Sequence, residues 1–134
     1  RLPSHLIRYV PEVLVVMGGT NDIDRDYKEE SIKANLQAIY RTARQAGARV
    51  AAVTVPPIAG YHNWSAEKQA LVERVNAWIL GSAQSVDFRV DAYHLLKDPA
   101  GDGLLAAYDG GDHIHLSGSG YDTLANVIFR KVTW

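Results

Sequence analysis

Two kinds of hydrophobic pattern alternate along the chain. Residues 12–17 and 49–55 are largely apolar runs bounded by Pro or Gly, and residues 86–93 alternate between apolar and polar positions. Segments of this kind are typical of β-strands, and an unbroken apolar run is typical of a strand that is buried on both faces. The chain is therefore predicted to contain three strands, the first of them central in its sheet.

Between the strands, apolar residues recur at intervals of three and four, which predicts amphipathic helices. The first helix is predicted to begin near Asp26, where Glu29 follows three positions later as in a capping box, and to end at Gly47. Two more helices are predicted over residues 65–81 and from Tyr121 onward. The apolar positions of the three helices are, in order, Ile32, Leu36, Ile39, Tyr40 and Ala43, then Leu71, Val72, Val75, Trp78 and Ile79, and finally Tyr121, Leu124, Ala125 and Ile128.

Two other segments carry less regular patterns. Residues 2–9 have the composition of a helix end that Pro11 closes, and residues 95–111 are expected to be mainly loop, with a short turn at 104–106. Because strands alternate with helices, the predicted fold class is α/β, with a parallel sheet covered by helices on both faces. Residues 1–134 are expected to form a single domain.

Composition narrows the possible functions. A chain of 134 residues can bury one core, and contents of 47% hydrophobic and 22% charged residues are ordinary for a globular protein. The net charge of −1 gives no reason to expect nucleic acid as a partner. There is no cysteine, hence no disulfide framework. No apolar run approaches the ~18 residues of a membrane span. The cellular location is left open by these observations.

The densest chemistry lies in the glycine-rich stretch between Tyr108 and Tyr121. Asp112 and His115 are three residues apart there, and a helical pattern follows directly. At this spacing one loop can deliver both an imidazole and the carboxylate that fixes its tautomer and stabilises its protonated form. The pattern therefore indicates a general base, His115, oriented by Asp112.

A second glycine-rich turn follows the first predicted strand. Its sequence is Gly-Gly-Thr-Asn-Asp over residues 18–22. An Asn amide at the carboxyl end of a strand can donate a hydrogen bond to an oxyanion, which would be the role of Asn21. Taken alone, the segment is equally typical of a strand-to-helix turn in which Asn21 and Asp22 cap the helix.

Together, residues 19–22 (Gly-Thr-Asn-Asp) and 112–115 (Asp-His-Ile-His) resemble the G-x-N-D and D-x-x-H blocks of the SGNH (GDSL-type) hydrolase family. The resemblance implies a flavodoxin-like three-layer α/β/α sandwich with strand order 2-1-3-4-5, which this chain would fill from the third strand onward. It also implies a serine ester hydrolase in which Asn21 binds the oxyanion, Asp112 orients His115, and His115 is the base. Small-molecule esters would be the substrates, and no cofactor or metal is required.

The nucleophile of that family is missing here. Its G-D-S block precedes the G-x-N-D block, and no Asp-Ser pair occurs in this chain. The chain therefore resembles the C-terminal two-thirds of such an enzyme, and its domain is expected to be incomplete at the N-terminus. The serine would come from a missing N-terminal segment or from a second chain. The alternative is a non-catalytic flavodoxin-like module that binds a ligand or a partner.

Several other residues leave alternatives open. Gly19 belongs to the block that would bind the oxyanion and the substrate. Trp64 follows the second strand and could either line the substrate pocket or pack on the next helix. His113 is expected to point to solvent, and the sequence shows no partner for His94 or His5.

A metal site is the less favoured interpretation of the same loop. Zinc and similar ions accept ligands of the kind found at Asp109, Asp112, His113 and His115. The two imidazoles would need a further ligand from elsewhere, such as His62 or His94, and no spacing in the chain supplies one.

An exposed strand edge follows if the first two strands of the family are absent. Residues 13–16 would then form an apolar edge that favours pairing with another strand. We expect the 134-residue chain to be stable only beside its N-terminal segment, or through swapping or pairing with a second copy. Sedimentation and thermal melting of the isolated chain test this, and a monomer that melts cooperatively would contradict it.

Overall fold

The sheet consists of three parallel strands in the order in which they occur along the chain. The computed structural model describes residues 12–133. Strand β1 is Val13–Met17, β2 is Arg49–Val53 and β3 is Phe88–Val90, with β2 between the other two. Both pairings are parallel. The predicted α/β class and parallel sheet are therefore confirmed.

Helices connect and follow these strands. They are α1 (Thr20–Asp24), α2 (Glu29–Gln45), α3 (Ala66–Gly81), α4 (Ala92–Leu96) and α5 (Gly118–Lys131), with one 3-10 turn at Ala106–Tyr108. None of the helices within residues 12–133 has the length and apolar character needed to cross a membrane. The predicted segment at 2–9, with His5, lies outside the described residues.

The core has two parts, one on each face of β2. Val50 and Ala52 belong to a buried cluster with apolar side chains of α2 and α3. Val53 belongs to a second cluster, with Leu96 of α4 and Leu124 of α5. Since successive side chains of a strand point to opposite faces, two helices cover each side of the sheet. The predicted three-layer arrangement is confirmed.

Helix α2 begins later than the sequence predicts, and its start is not a capping box. Asp26 adopts a positive φ of 60°, and its N–H donates to the carbonyl of Ile23 in the turn that ends α1. Lys28 is the N-cap residue and makes no side-chain capping bond. By contrast, the predicted start at Ser65 is confirmed, since its hydroxyl accepts from the N–H of Lys68.

The third strand is shorter than predicted. Asp91 ends it, because its carboxylate accepts from the N–H of His94 and caps α4. Tyr93 therefore lies in a helix and not in the strand predicted over residues 86–93. The short turn expected at 104–106 also lies slightly later, since Leu104 pairs with Lys97 in an isolated bridge before the 3-10 turn.

Strand β1 is buried on one face only. Val16 packs in the core, whereas Val15 and Met17 are each 40% exposed. The prediction of a strand buried on both faces is thus wrong for the described residues. The same pattern places β1 at the edge of the sheet that residues 12–133 form. Ile39, predicted on the buried face of α2, is also exposed.

A buried side chain of α3 fixes the backbone beyond β2. The Asn76 side-chain oxygen accepts from the N–H of Val55 at 2.7 Å, and its amide group donates to the Val55 carbonyl at 3.0 Å. Both residues are buried, so water does not substitute easily for these bonds. The pair sets the direction of the chain just before Pro56.

We expect Asn76→Ala to reduce the free energy of unfolding by about 2–4 kcal/mol, because both buried polar groups of Val55 lose their partner. Denaturant titration of the complete protein measures the loss. Glu73→Ala is the matched control, since Glu73 is exposed on the same helix and should change stability little. Equal effects of the two substitutions would contradict the proposed importance of the buried amide.

Candidate active site

A cavity of about 570 Å³ lies beyond the carboxyl ends of β1 and β2. Its walls come from the turn and helix after β1, from the loop after β2, and from the loop that precedes α5. Open parallel sheets bind ligands at this edge. The lining includes Gly19, Asn21, Asp112 and His115, so four residues singled out in the sequence meet in one place.

The turn after β1 requires glycine. Gly19 has φ 108°, a conformation that other residues rarely adopt, and a Cβ there would lie 3.3 Å from the Val55 side chain. This turn allows α1 to begin at Thr20 directly after the strand. Ile23, which is fully buried, anchors the short helix in the core, so Asn21 is presented from its first turn to the cavity.

A hydrogen bond ties α1 to the loop after β2. The Tyr61 hydroxyl donates to Asp24 at 2.7 Å, and the Asn63 amide donates to the same oxygen at 3.3 Å. These bonds lower the pKa of Asp24, and burial together with the Asp24 acceptor raises the pKa of Tyr61. Asp24 and Tyr61 both line the cavity. They are 37 residues apart, and no sequence pattern links them.

Asp112 and His115 form a hydrogen-bonded pair. The Nδ1 atom of His115 lies 2.5 Å from Oδ2 of Asp112, and the other carboxylate oxygen accepts from the N–H groups of His115 and Ile114. The bond from the His115 ring and these two N–H groups lower the pKa of Asp112 below its usual range. The carboxylate therefore stays ionised in mild acid, and it can stabilise a protonated imidazole.

The pair is open to solvent. The His115 side chain is 76% exposed and that of Asp112 is 52% exposed. With Nδ1 donating to Asp112, the Nε2 atom of His115 carries the lone pair that a general base uses.

A second acid–imidazole pair shares this loop. His113 Nδ1 lies 2.6 Å from Asp109 Oδ2, and Oδ1 of Asp109 accepts from the N–H groups of Gly111 and His113. Burial raises the pKa of Asp109, but these donors outweigh it and leave the pKa lowered. His113 is 57% exposed, as expected for a ring that points to solvent, and is nevertheless paired.

A third pair corrects an expectation about His94. Its Nδ1 atom lies 2.7 Å from Asp91 Oδ2, and its N–H donates to Asp91 Oδ1. Asp91-Ala-Tyr-His94 thus has the same D-x-x-H spacing as the pair in the cavity. Neither residue lines the cavity. The D-x-x-H motif therefore occurs in both pairs, Asp91–His94 and Asp112–His115. Only the second pair lies at the cavity.

The end of the loop is fixed on α5. The Ser117 hydroxyl caps the helix by accepting from Gly120 N–H, and it donates to the carbonyl of Ala107. The N–H of Ser117 also donates to the carbonyl of Tyr108. The loop that holds Asp112 and His115 is closed by these bonds at its base.

The profile of the GDSL-like Lipase/Acylhydrolase family matches residues 1–123. The chain belongs to this family. A search of curated proteins finds no match to the chain.

Solved structures of similar fold agree with the family assignment. A proposed acylhydrolase from Bacteroides fragilis is 25% identical with a TM-score of 0.78, and the match covers 94% of this chain and 65% of that one. An acetyl-xylooligosaccharide esterase from a Geobacillus species is 18% identical with a TM-score of 0.73, covering 98% and 64%. A carbohydrate esterase family 3 protein from Talaromyces cellulolyticus is 20% identical with a TM-score of 0.66, covering 94% and 59%.

The chain spans only part of the length of each of these proteins. It spans about two-thirds of the length of the Bacteroides fragilis protein and less of the other two. Similarities of 18% and 20% identity describe the fold alone.

Trp64 lies apart from the cavity of this GDSL-like chain. Its indole N–H donates to Gln69 of α3 at 3.3 Å, and Trp64 is not among the lining residues. Its contact is thus with the helix that follows it. His62, in contrast, lines the cavity beside Tyr61. The sequence suggests His62 only as a possible further metal ligand, because no motif around it indicates a place in the cavity.

The same loop carries several side chains of the kind that bind metal ions. Within residues 12–133 there is no group of three or more His, Cys, Asp or Glu side chains that could hold a metal ion. The carboxylates and imidazoles of this loop are engaged with each other as pairs.

We expect Gly120→Ala to lower stability by about 1–3 kcal/mol, because overpacking forces neighbouring groups apart. A Cβ at this position would lie 2.8 Å from the Tyr108 carbonyl oxygen and 3.2 Å from the Leu116 Cβ. Gly118→Ala is the control in the same helix, since a Cβ there meets nothing within 4 Å. Denaturant unfolding of both variants measures the difference, and equal stabilities would count against this packing.

Proposed function

We propose that this chain supplies the base, its orienting acid and an oxyanion donor of a serine ester hydrolase. The proposal is supported above all by one observation: Asn21, Asp112 and His115 line the same cavity, with His115 bonded to Asp112. Membership of the GDSL-like Lipase/Acylhydrolase family supports the same reaction class. The nucleophilic serine would come from an N-terminal segment outside this chain or from a second chain.

The reaction would proceed by acyl transfer. The serine oxygen attacks the ester carbonyl while His115 Nε2 takes the serine proton, and the imidazolium is stabilised by Asp112. The Asn21 amide and neighbouring N–H groups of the turn at Gly19 would donate to the oxyanion. The tetrahedral intermediate expels the alcohol, which receives the proton from His115. Water then attacks the acyl-enzyme while His115 takes a proton from it. The second tetrahedral intermediate releases the acid and expels the serine oxygen, which takes that proton back from His115.

The substrate would be a small-molecule ester. Two of the similar structures are described as esterases of acetylated xylo-oligosaccharide or carbohydrate type, which makes sugar esters a reasonable first test. The cavity presents polar groups, among them Tyr61 and His62, that can contact hydroxyl-rich substrates. Each step of the proposed reaction uses protein side chains and water.

A binding module without catalysis is the second candidate. It is favoured by one observation, that no serine is among the residues of the described chain that line the cavity. A module of this kind has no need for a base, its acid and an oxyanion donor in one place. The two candidates differ in whether a reactive serine reaches the cavity.

The intact mass of the purified protein under denaturing conditions should be measured first. A second species, or a mass well above 14.7 kDa, would show that a further segment accompanies this chain. The same sample is then treated with a fluorophosphonate, which labels activated serines, and the labelled peptide is identified. We expect the label outside these 134 residues. A label on a serine within them would contradict the proposed origin of the nucleophile.

We expect the complete protein to hydrolyse p-nitrophenyl acetate and acetylated xylo-oligosaccharide. His115→Ala should reduce kcat by about 10⁴-fold or more, and Asn21→Ala by about 10²–10³-fold, because they remove the base and an oxyanion donor. His94→Ala is the control, because it disrupts an Asp–His pair of the same spacing outside the cavity. Hydrolysis that survives His115→Ala, or that falls equally in His94→Ala, would reject the assignment.

A further inference from the structure

We propose that Asp109 is a positioning residue that holds the Asp112–His115 pair in its working geometry, acting through His113. The inference rests on the proposed function for the importance of that pair. Asp109 is only 11% exposed, although it lies in an exposed loop, and it accepts three hydrogen bonds from within that loop.

The first argument is the backbone conformation of His113. Its φ of 67° lies in the left-handed region, which is unfavourable for a residue with a Cβ. Asp109 offsets this cost, since it accepts from both the N–H and the ring of His113. His113 directly follows Asp112 and precedes Ile114, whose N–H donates to Asp112. The conformation of His113 therefore decides whether the N–H groups of Ile114 and His115 reach the Asp112 carboxylate.

The second argument is the closure of the loop beside Asp109. Asp109 and Leu116 form an isolated antiparallel bridge, and the N–H of Gly110 donates to the His115 carbonyl at 2.7 Å. A Cβ on Gly110 would lie 2.8 Å from that carbonyl oxygen, so the two backbone segments on either side of this bridge are in close contact. The backbone next to Asp109 is thus bonded to the backbone of His115, and the Asp109 side chain is bonded to His113.

The third argument concerns the His113 ring. A Cβ on Gly60 would lie 3.7 Å from its Cγ atom, so one side of the ring lies beside the loop after β2. The ring is not among the residues that line the cavity. We therefore assign the His113 ring a role in holding its own loop beside the loop after β2, and not a role in contacting substrate.

The test is the Nδ1 proton of His115, observed by NMR in the complete protein. A short bond to a carboxylate gives this proton a downfield resonance, which Asp112→Ala assigns by removing it. We expect Asp109→Ala to broaden or abolish the resonance although Asp112 and His115 are unchanged. Asp109→Asn, which keeps the shape of the side chain, should shift it less. Asp91→Ala is the control, since it breaks the pair at His94 and should leave the His115 resonance in place.

Two substitutions of His113 distinguish the effect of its backbone conformation from the effect of its imidazole ring. Glycine accepts a positive φ without cost, whereas alanine does not. We expect His113→Gly to preserve the His115 resonance better than His113→Ala. An unchanged His115 resonance in Asp109→Ala would overturn the proposal. If Asp109→Ala does not fold, Asp109→Asn carries the same test, and a wild-type spectrum there would overturn it.

In the complete protein the same role predicts an effect on turnover. Asp109→Asn should lower kcat for p-nitrophenyl acetate by about 10-fold to 100-fold with little change in KM, because misplaced groups slow the chemistry. The NMR result does not depend on hydrolysis. Failure of every form to hydrolyse esters would reject the proposed function, and an unaltered resonance in Asp109→Asn would reject the role of Asp109.

Discussion

Burial of β2 on both of its faces is the constraint on which the rest of the structure depends. Val50 and Ala52 face the helices α2 and α3, while Val53 faces α4 and α5, so the strand unites two half-cores. Its parallel pairing with both neighbours directs all three strand ends to the same edge. The three segments that line the cavity meet there for that reason. The site is thus a consequence of sheet direction, and the loops supply its chemistry.

Features that depend on residues close together in the sequence can be predicted from it. Contacts between residues far apart in the sequence cannot. The strands, the main helices and the Asp112–His115 pair depend on residues within a few positions of each other. The Asp24–Tyr61 bond joins α1 to the loop after β2, and no sequence pattern around either residue indicates it. Local spacing is also insufficient by itself, because Asp91 and His94 have it too. The position of a motif relative to the strand ends distinguishes a candidate site from a helix cap.

The incorrect predictions have a common physical origin. Polar side chains near the ends of elements can satisfy several backbone groups, and tertiary packing decides which. Asp26 was expected to cap α2, but it lies in the turn that ends α1. Asp91 was placed in a strand, but it caps a helix. The apolar run of β1 has the composition of a central strand. Composition alone does not show whether helices or further strands cover both faces of β1 within the described residues.

The exposure of the Asp112–His115 pair has a consequence for its electrostatics. Water next to both side chains screens their charges, so the carboxylate stabilises an imidazolium less than it would in a dry site. A bound ester that covers the pair would displace this water and strengthen the interaction at the moment the proton moves. In the proposed reaction, the strength of His115 as a base would therefore depend partly on how much of the pair the substrate covers.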